Sequence, residues 1–324
     1  MIAIILVALA AGCASALMFA SMMSGALISL LLVNLAPLPL MVAALGWGPL
    51  CATIGGIGAA TVLGSIFGPP DCITFAVAVA LPAWWLGHVA LLGRPVANGV
   101  PSGDGAAPEA PVLEWYPVGR ILLWIAVSAA LTTTVALLAL GTDAVSIANG
   151  LRRGLLLMIG SPDASATGEI EQLVNTLVKI MPAGAAIGAM MMLTLNLWLA
   201  AKITATSGRL HRPWPDLKMA ALPPLTLVAL SAAIAFCFAG GLLAILAQIM
   251  TTVLMLAYAL TGLAVLHTLT LALKGRALWL GCTYAIVVLF VWPVVAMTIL
   301  GLADAIFGLR QRYLQGRPPP LPAS

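Results

Sequence analysis

Apolar runs of span length recur along the whole chain, at 2–22, 25–45, 49–67, 72–93, 119–140, 181–201, 221–240, 243–273 and 277–303. A helix rising about 1.5 Å per residue needs about 20 such residues to cross the hydrocarbon of a bilayer. The pattern predicts an all-α fold, a polytopic transmembrane helix bundle with eight or nine spans over 1–324. Pro37 and Pro39 interrupt the second run. That segment is expected to be broken or re-entrant, which is tolerated only where protein or water covers the freed backbone. The 243–273 run is long enough to tilt or to project past the membrane.

The polar stretches between the runs predict the loops. Residues 94–118 are rich in Pro, Gly and Ala and read as a flexible loop. Within the extramembrane stretch 141–180, Ile170, Leu173, Val174, Leu177 and Val178 fall at helical spacing among Glu169, Glu171 and Gln172. They predict an amphipathic helix at the interface or against the bundle. Residues 304–324 form a short, basic, Pro-rich tail. The 202–218 loop carries Lys202, Arg209, Arg212 and Lys218 against the single acid Asp216, so it is expected to face the cytoplasm. Working backwards, 94–118 shares that side and 141–180 lies opposite. One conflict follows: Lys274 and Arg276 before the last run, and Arg310, Arg312 and Arg317 after it, do not share a side if one span separates them.

Composition fixes the solvent. Only 7% of residues are charged, 62% are hydrophobic and the mean hydropathy is +1.13. A soluble domain carries about 25% charged residues, so this chain could not cover its surface in water. The multi-pass inner (cytoplasmic) membrane of a bacterium is the expected location, and the lipid bilayer the first partner. A net charge of +4, spread over a few loops, gives no support for nucleic-acid binding. Cys13, Cys51, Cys72, Cys237 and Cys282 stand singly, without metal-ligand spacing, so neither a metal nor another cofactor is expected. Leu9 to Cys13 resembles a lipoprotein cleavage box, but no basic residue precedes it, which favours an uncleaved first span.

Small residues four apart line helix faces that pack closely in lipid. Ala8, Gly12, Ala16 and Ala20 do so in the first run, Gly56, Ala60 and Gly64 in the third, and Gly184 and Gly188 in the sixth. Such a face packs within the chain or docks a membrane-protein partner. Polar groups inside spans turn toward the bundle interior and mark polar networks or substrate paths. The candidates are Asn34, Asn196, His267 and Asp304. His267 also has a plain structural reading as a neutral ring bonded to a neighbouring helix. Asp304 lies six residues before Arg310 and eight before Arg312, so neither is an i,i+4 partner. Either the chain breaks at Gly308 and an arginine folds back as an ionic lock, or the acid sits at headgroup level and the arginines bind lipid phosphates.

The stretches LVNLAPLPLMVAALGWG (32–48), ALTGLAVLHTLTL (259–271) and LGLADAIFGLRQRY (300–313) resemble the YybS-like family of predicted bacterial membrane proteins. Gly262, His267, Gly301, Asp304 and Arg310 carry the resemblance best. That family is similar in turn to the substrate-binding S components of energy-coupling-factor vitamin transporters. The likeness implies a small-molecule binding or transport subunit whose first-helix stripe docks on an energising partner. No GxxxxGK[ST] occurs, so nucleotide would be used by that partner. The alternative is a non-transporting scaffold or regulator. No HExxH, no GxSxG and no pair of membrane acids is present, so catalysis is not expected.

Overall fold

The computed structural model describes residues 2–96, 112–159, 168–290 and 292–315. It is helical nearly throughout. Among the described residues seven helices are long and apolar enough to cross a membrane, or eight if one bent pair counts as a span. The helices cluster in two compact units, one of residues 1–117 and 191–214, the other of 118–190 and 215–324.

The first unit contains α1 (Ile2–Ala20), α2 (Leu27–Leu35), α3 (Pro37–Trp47), α4 (Pro49–Phe67), α5 (Pro69–Phe75) and α6 (Leu81–Ala90). Prolines open α3, α4 and α5, where a missing N–H costs nothing because that group has no intrahelical acceptor. A π-helical turn, Ala76–Ala80, joins α5 to α6. It ends two residues before Pro82, which withholds the N–H that the Ala78 carbonyl within the turn would accept. The α2–α3 break follows from Pro37 and Pro39, and side chains from neighbouring helices cover it. The Ser15 hydroxyl donates to the Ala36 carbonyl at 2.7 Å, and Asn196 Nδ2 donates to the Asn34 carbonyl at 2.7 Å.

The first-helix stripe is used inside the chain. Ala8 and Gly12 are buried, and α1 lies backbone to backbone on α4: a Cβ at Gly12 would run into the Gly55 carbonyl, and one at Gly55 into that of Ala8. Ala16 and Ala20 are half-buried on the same side. Gly56 packs against Ala80, and Gly64 against Cys72, with Ala60 half-buried between them.

One end of this unit collects its basic residues. The ends of the 94–118 loop pair as an antiparallel ribbon, β1 (Gly93–Val96) with β2 (Val112–Trp115), closed by Arg94 on Glu114 at 2.7 Å. Residues 97–111 lie outside the described residues. Arg212 donates to the carbonyls of Ala90 at 3.0 Å and Tyr116 at 2.9 Å, tying the loop after residue 206 to the end of α6 and the ribbon. Burial lowers the pKa of that guanidinium.

The second unit contains α7 (Val118–Leu138), α8 (Ala144–Ile159), α10 (Leu225–Phe236), α11 (Gly241–Leu269), α12 (Arg276–Leu289), α13 (Pro293–Phe307) and α14 (Leu309–Gln315), with the first part of α9 (Gly168–Thr206). Asp143 caps α8: its carboxylate accepts the N–H groups of Val145 and Ser146, both at 3.0 Å, and the Ser146 hydroxyl at 2.6 Å. These bonds hold its pKa below the usual carboxylate value. The amphipathic stretch expected near 170–178 is not a separate helix but the first turns of α9. At 39 residues α9 is about 58 Å long, well beyond a bilayer's hydrocarbon. Val174 is buried, and Arg152 of α8 bonds Asn175 at 2.8 Å and Glu171 at 3.2 Å.

Two expected spans differ. The 221–240 run yields only the 12 residues of α10, because Pro223 and Pro224 hold back its start. The 277–303 run is divided between α12, 14 residues, and α13, 15 residues. Each rises about 21–23 Å, short of a crossing. Pro293, in the first turn of α13, supplies the break.

Candidate functional site

The site forms where α11 and α13 touch. A Cβ at Gly262 would run into the Met297 carbonyl, and one at Gly301 into the Tyr258 carbonyl, so two backbones meet here with no side chain between them. Thr298 donates to the Met255 carbonyl at 3.2 Å across the same contact. Tyr258, 1% exposed, shares a 2.6 Å hydrogen bond with Thr226 at the start of α10. Leu230, Leu254 and Tyr258 form the apolar centre beneath.

The contacts order the helices. α12 leaves the C-terminal end of α11, where Arg276 donates to the His267 carbonyl at 3.3 Å. α13 comes back to that end, because Arg310 just beyond it bonds the 218–220 segment, and Met219 of that segment shares a cleft with Tyr258 and Thr261 of α11. The helical pair therefore starts and finishes at one end of the unit. Lys274 and Arg276 thus stand at the same end of the unit as Arg310 and Arg312, where the sequence pattern expects one full span between them.

The break at Gly308 brings Asp304 and Arg310 together. Gly308 adopts the left-handed conformation (φ 65°) and its N–H closes onto the Asp304 carbonyl at 2.8 Å. The α13–α14 pair is bent by 66°. Arg310 then reaches back. Its Nε and Nη2 donate to Asp304 Oδ2 at 2.8 and 2.7 Å, and its backbone N–H donates to Oδ1 at 2.8 Å. Nη1 donates to the carbonyls of Lys218 at 2.6 Å and Ala220 at 2.9 Å. Those carbonyls are free because the short 3-10 turn Leu217–Met219 ends here and residues 220–223 are irregular up to Pro223 and Pro224. The two side chains are 11% and 9% exposed. Arg310 is thus committed within the chain and is not spare for a lipid phosphate. Arg312 is exposed and stands apart from the pair.

Beside the pair opens a cleft of about 620 Å³. Met219, Leu222, Tyr258, Thr261, Asp304 and Gln311 face it, and Leu314 and Gln315 of α14 extend its wall. Sequence reasoning singles out Asp304 but not Thr261, Gln311 or the 219–222 wall. The double proline at 223–224 is the signal that this wall is irregular backbone.

The other candidates fall elsewhere. His267 Nε2 lies 2.6 Å from the Tyr284 hydroxyl of α12, and Nδ1 lies 3.4 Å from Arg276 Nη2, so the ring ties two helices together. Asn196 is buried in the first unit with Oδ1 unpartnered, while the side chain of Asn34 donates to Leu30 of its own helix. Gly184 and Gly188 are exposed, with open space where a Cβ would stand. Among the described residues no cluster of His, Cys, Asp and Glu has the arrangement of a metal site.

The family model for "Predicted membrane protein (DUF2232)" matches residues 118–305. No curated protein and no solved structure matches the chain.

Proposed function

We propose, from the premise that the chain belongs to the predicted membrane protein family (DUF2232), that it is a multi-pass membrane subunit that binds an uncharged small molecule for transport. The observation that carries this reading is the cleft beside Asp304 and Arg310, walled by irregular backbone and short helices. Interrupted helices at membrane depth are tolerated where they line a cavity, and transporters build their sites from them. The charges at its edge cancel, and the guanidinium is occupied by Asp304 and two carbonyls. An anionic or cationic ligand would find no unspent partner there. The remaining lining is apolar side chains with a few amide and hydroxyl groups, the mix that suits a neutral, partly polar molecule.

The YybS-like resemblance, and through it the similarity to S components, supports the same role with energy supplied by a partner. The basic residues Arg94, Lys202, Arg209 and Arg212 at one end of the first unit support a cytoplasmic face there, in a bacterial inner membrane. The reading is non-catalytic: Asp304 is held by Arg310, and no second acid lines the cleft among the described residues. Uptake of radiolabelled neutral metabolites in a deletion strain tests it. One substrate is expected to lose uptake, to regain it with the wild-type gene, and to regain little with Ala305→Phe, which fills the cleft. Unchanged uptake across the panel refutes transport.

A scaffold role is favoured by one observation: Gly184 and Gly188 remain uncovered on α9, while the first-helix stripe is consumed within the chain. Crosslinking from Gly184→Cys separates the two. An ATPase module among the captured proteins supports transport, and envelope-assembly proteins support the scaffold.

A further inference from the structure

Where α3 and α9 end in the first unit, two cations lie on tryptophan rings, and no carboxylate among the described residues pairs with them. The Arg209 guanidinium is 4.4 Å from the Trp47 ring centroid, and the Lys202 ammonium is 4.8 Å from that of Trp214. Both cations are exposed, and among the described residues neither forms an ion pair. Their neighbours are already spent: Arg94 on Glu114, Arg212 on two backbone carbonyls. Between Met191 and Trp214 the chain carries Lys202, Arg209, Arg212 and His211 and no acid at all.

The cations are also held in place. The N–H groups of Arg209 and Leu210 both bond the Thr204 carbonyl, at 2.9 and 3.1 Å, which fixes the chain as it leaves α9. A Cβ added at Gly46 would touch the stem of Arg209, so that stem packs on the last turn of α3. An aromatic face orients a cation without neutralising it. Tryptophan bodies sit at headgroup depth when they flank spans. An oriented, uncompensated guanidinium and ammonium at that depth match the phosphate of a lipid headgroup.

We propose that Arg209 and Lys202, seated on Trp47 and Trp214, form a binding site for the headgroup phosphate of an anionic phospholipid. The site is separate from the cleft and does not rest on the transport reading. It holds the ends of α3 and α9 to one class of lipid.

The test uses the purified full chain in a neutral detergent, titrated with short-chain phosphatidylglycerol, with thermal stabilisation as the readout. Phosphatidylglycerol is expected to stabilise the protein where phosphatidylcholine and inorganic phosphate do not. Each cation contributes about 1 kcal/mol near a membrane surface, about fivefold in affinity. Lys202→Gln and Arg209→Gln should each weaken the response about fivefold, and the exchange pair Lys202→Arg with Arg209→Lys should retain it. A matched loss of two charges elsewhere, Arg153→Gln on α8 with Lys179→Gln on the first part of α9, should leave it intact. Equal binding of the two lipids overturns the site, as does equal weakening by the matched pair. Saturation by inorganic phosphate alone overturns the lipid as its ligand.

Discussion

Removing the carboxylate at position 304 tests the buried pair most directly. Asp304 accepts from Nε, Nη2 and the backbone N–H of Arg310, at 2.8, 2.7 and 2.8 Å. In Asp304→Ala the guanidinium keeps its bonds to the Lys218 and Ala220 carbonyls but loses its counter-charge while 11% exposed. Stripping one member from a buried ion pair costs about 3–5 kcal/mol. Arg310→Leu leaves the acid unpaired and both carbonyls without their donor, and a similar loss is expected, about 3–5 kcal/mol. The double variant removes both charges together, so it should fall short of the sum of the singles by about 2–3 kcal/mol. Equilibrium unfolding of the purified variants in mild detergent, arranged as a double-mutant cycle, measures the coupling. Exchanging the charges, Asp304→Arg with Arg310→Asp, should restore only part of the loss. An arginine at 304 does not accept the residue-310 N–H, and an aspartate at 310 donates nothing to the two carbonyls. Singles costing under about 1 kcal/mol, the range of exposed pairs, or strict additivity in the double variant, would refute the reasoning.

Two further predictions concern packing. Gly12→Ala and Gly262→Ala each drive a methyl into a backbone carbonyl and should cost about 1–3 kcal/mol, whereas Gly184→Ala and Gly188→Ala should lie near the wild type or gain up to about 1 kcal/mol from helix propensity. Thermal unfolding ranks the four, and equal effects would contradict the packing described. Asn196→Ala withdraws the donor from the Asn34 carbonyl at the α2–α3 break, a loss of about 1–2 kcal/mol, with faster hydrogen exchange confined to residues near Pro37; protection unchanged there would show that the break needs no cover.

Much of the helical architecture is legible in the sequence because the bilayer sets a length and hydropathy reports it. The runs at 2–22, 25–45, 49–67, 72–93 and 119–140 each correspond to a helix or a broken helix of the structure. Length alone misleads at 277–303, whose apolar residues suffice for a crossing. The break before Pro293 costs no hydrophobicity, so a window average passes over it. The boundary expected between 180 and 181 is absent, since α9 runs from Gly168 through Pro182 unbroken. The site is only partly legible. A glycine between Asp304 and Arg310 signals that the chain can turn back, but the carbonyls of Lys218 and Ala220 carry no side-chain signature. Nor does spacing reveal that the first-helix stripe meets Gly55: the four-residue rule selects Gly56, Ala60 and Gly64, whose glycines pack on Ala80 and Cys72, while Gly55, about 100° around the helix from Gly56, faces α1.

The pairing of α12 with α13 bears on how the polypeptide is threaded. A pair that starts and finishes at one end of its unit predicts an even count of crossings after α11, with the residues after α13 in the compartment reached at Lys274. Reporters placed at the 274–276 turn and on the tail therefore give the same sign in a sidedness assay. Hydropathy counting that treats 277–303 as one passage predicts opposite signs, and that result would restore the single span.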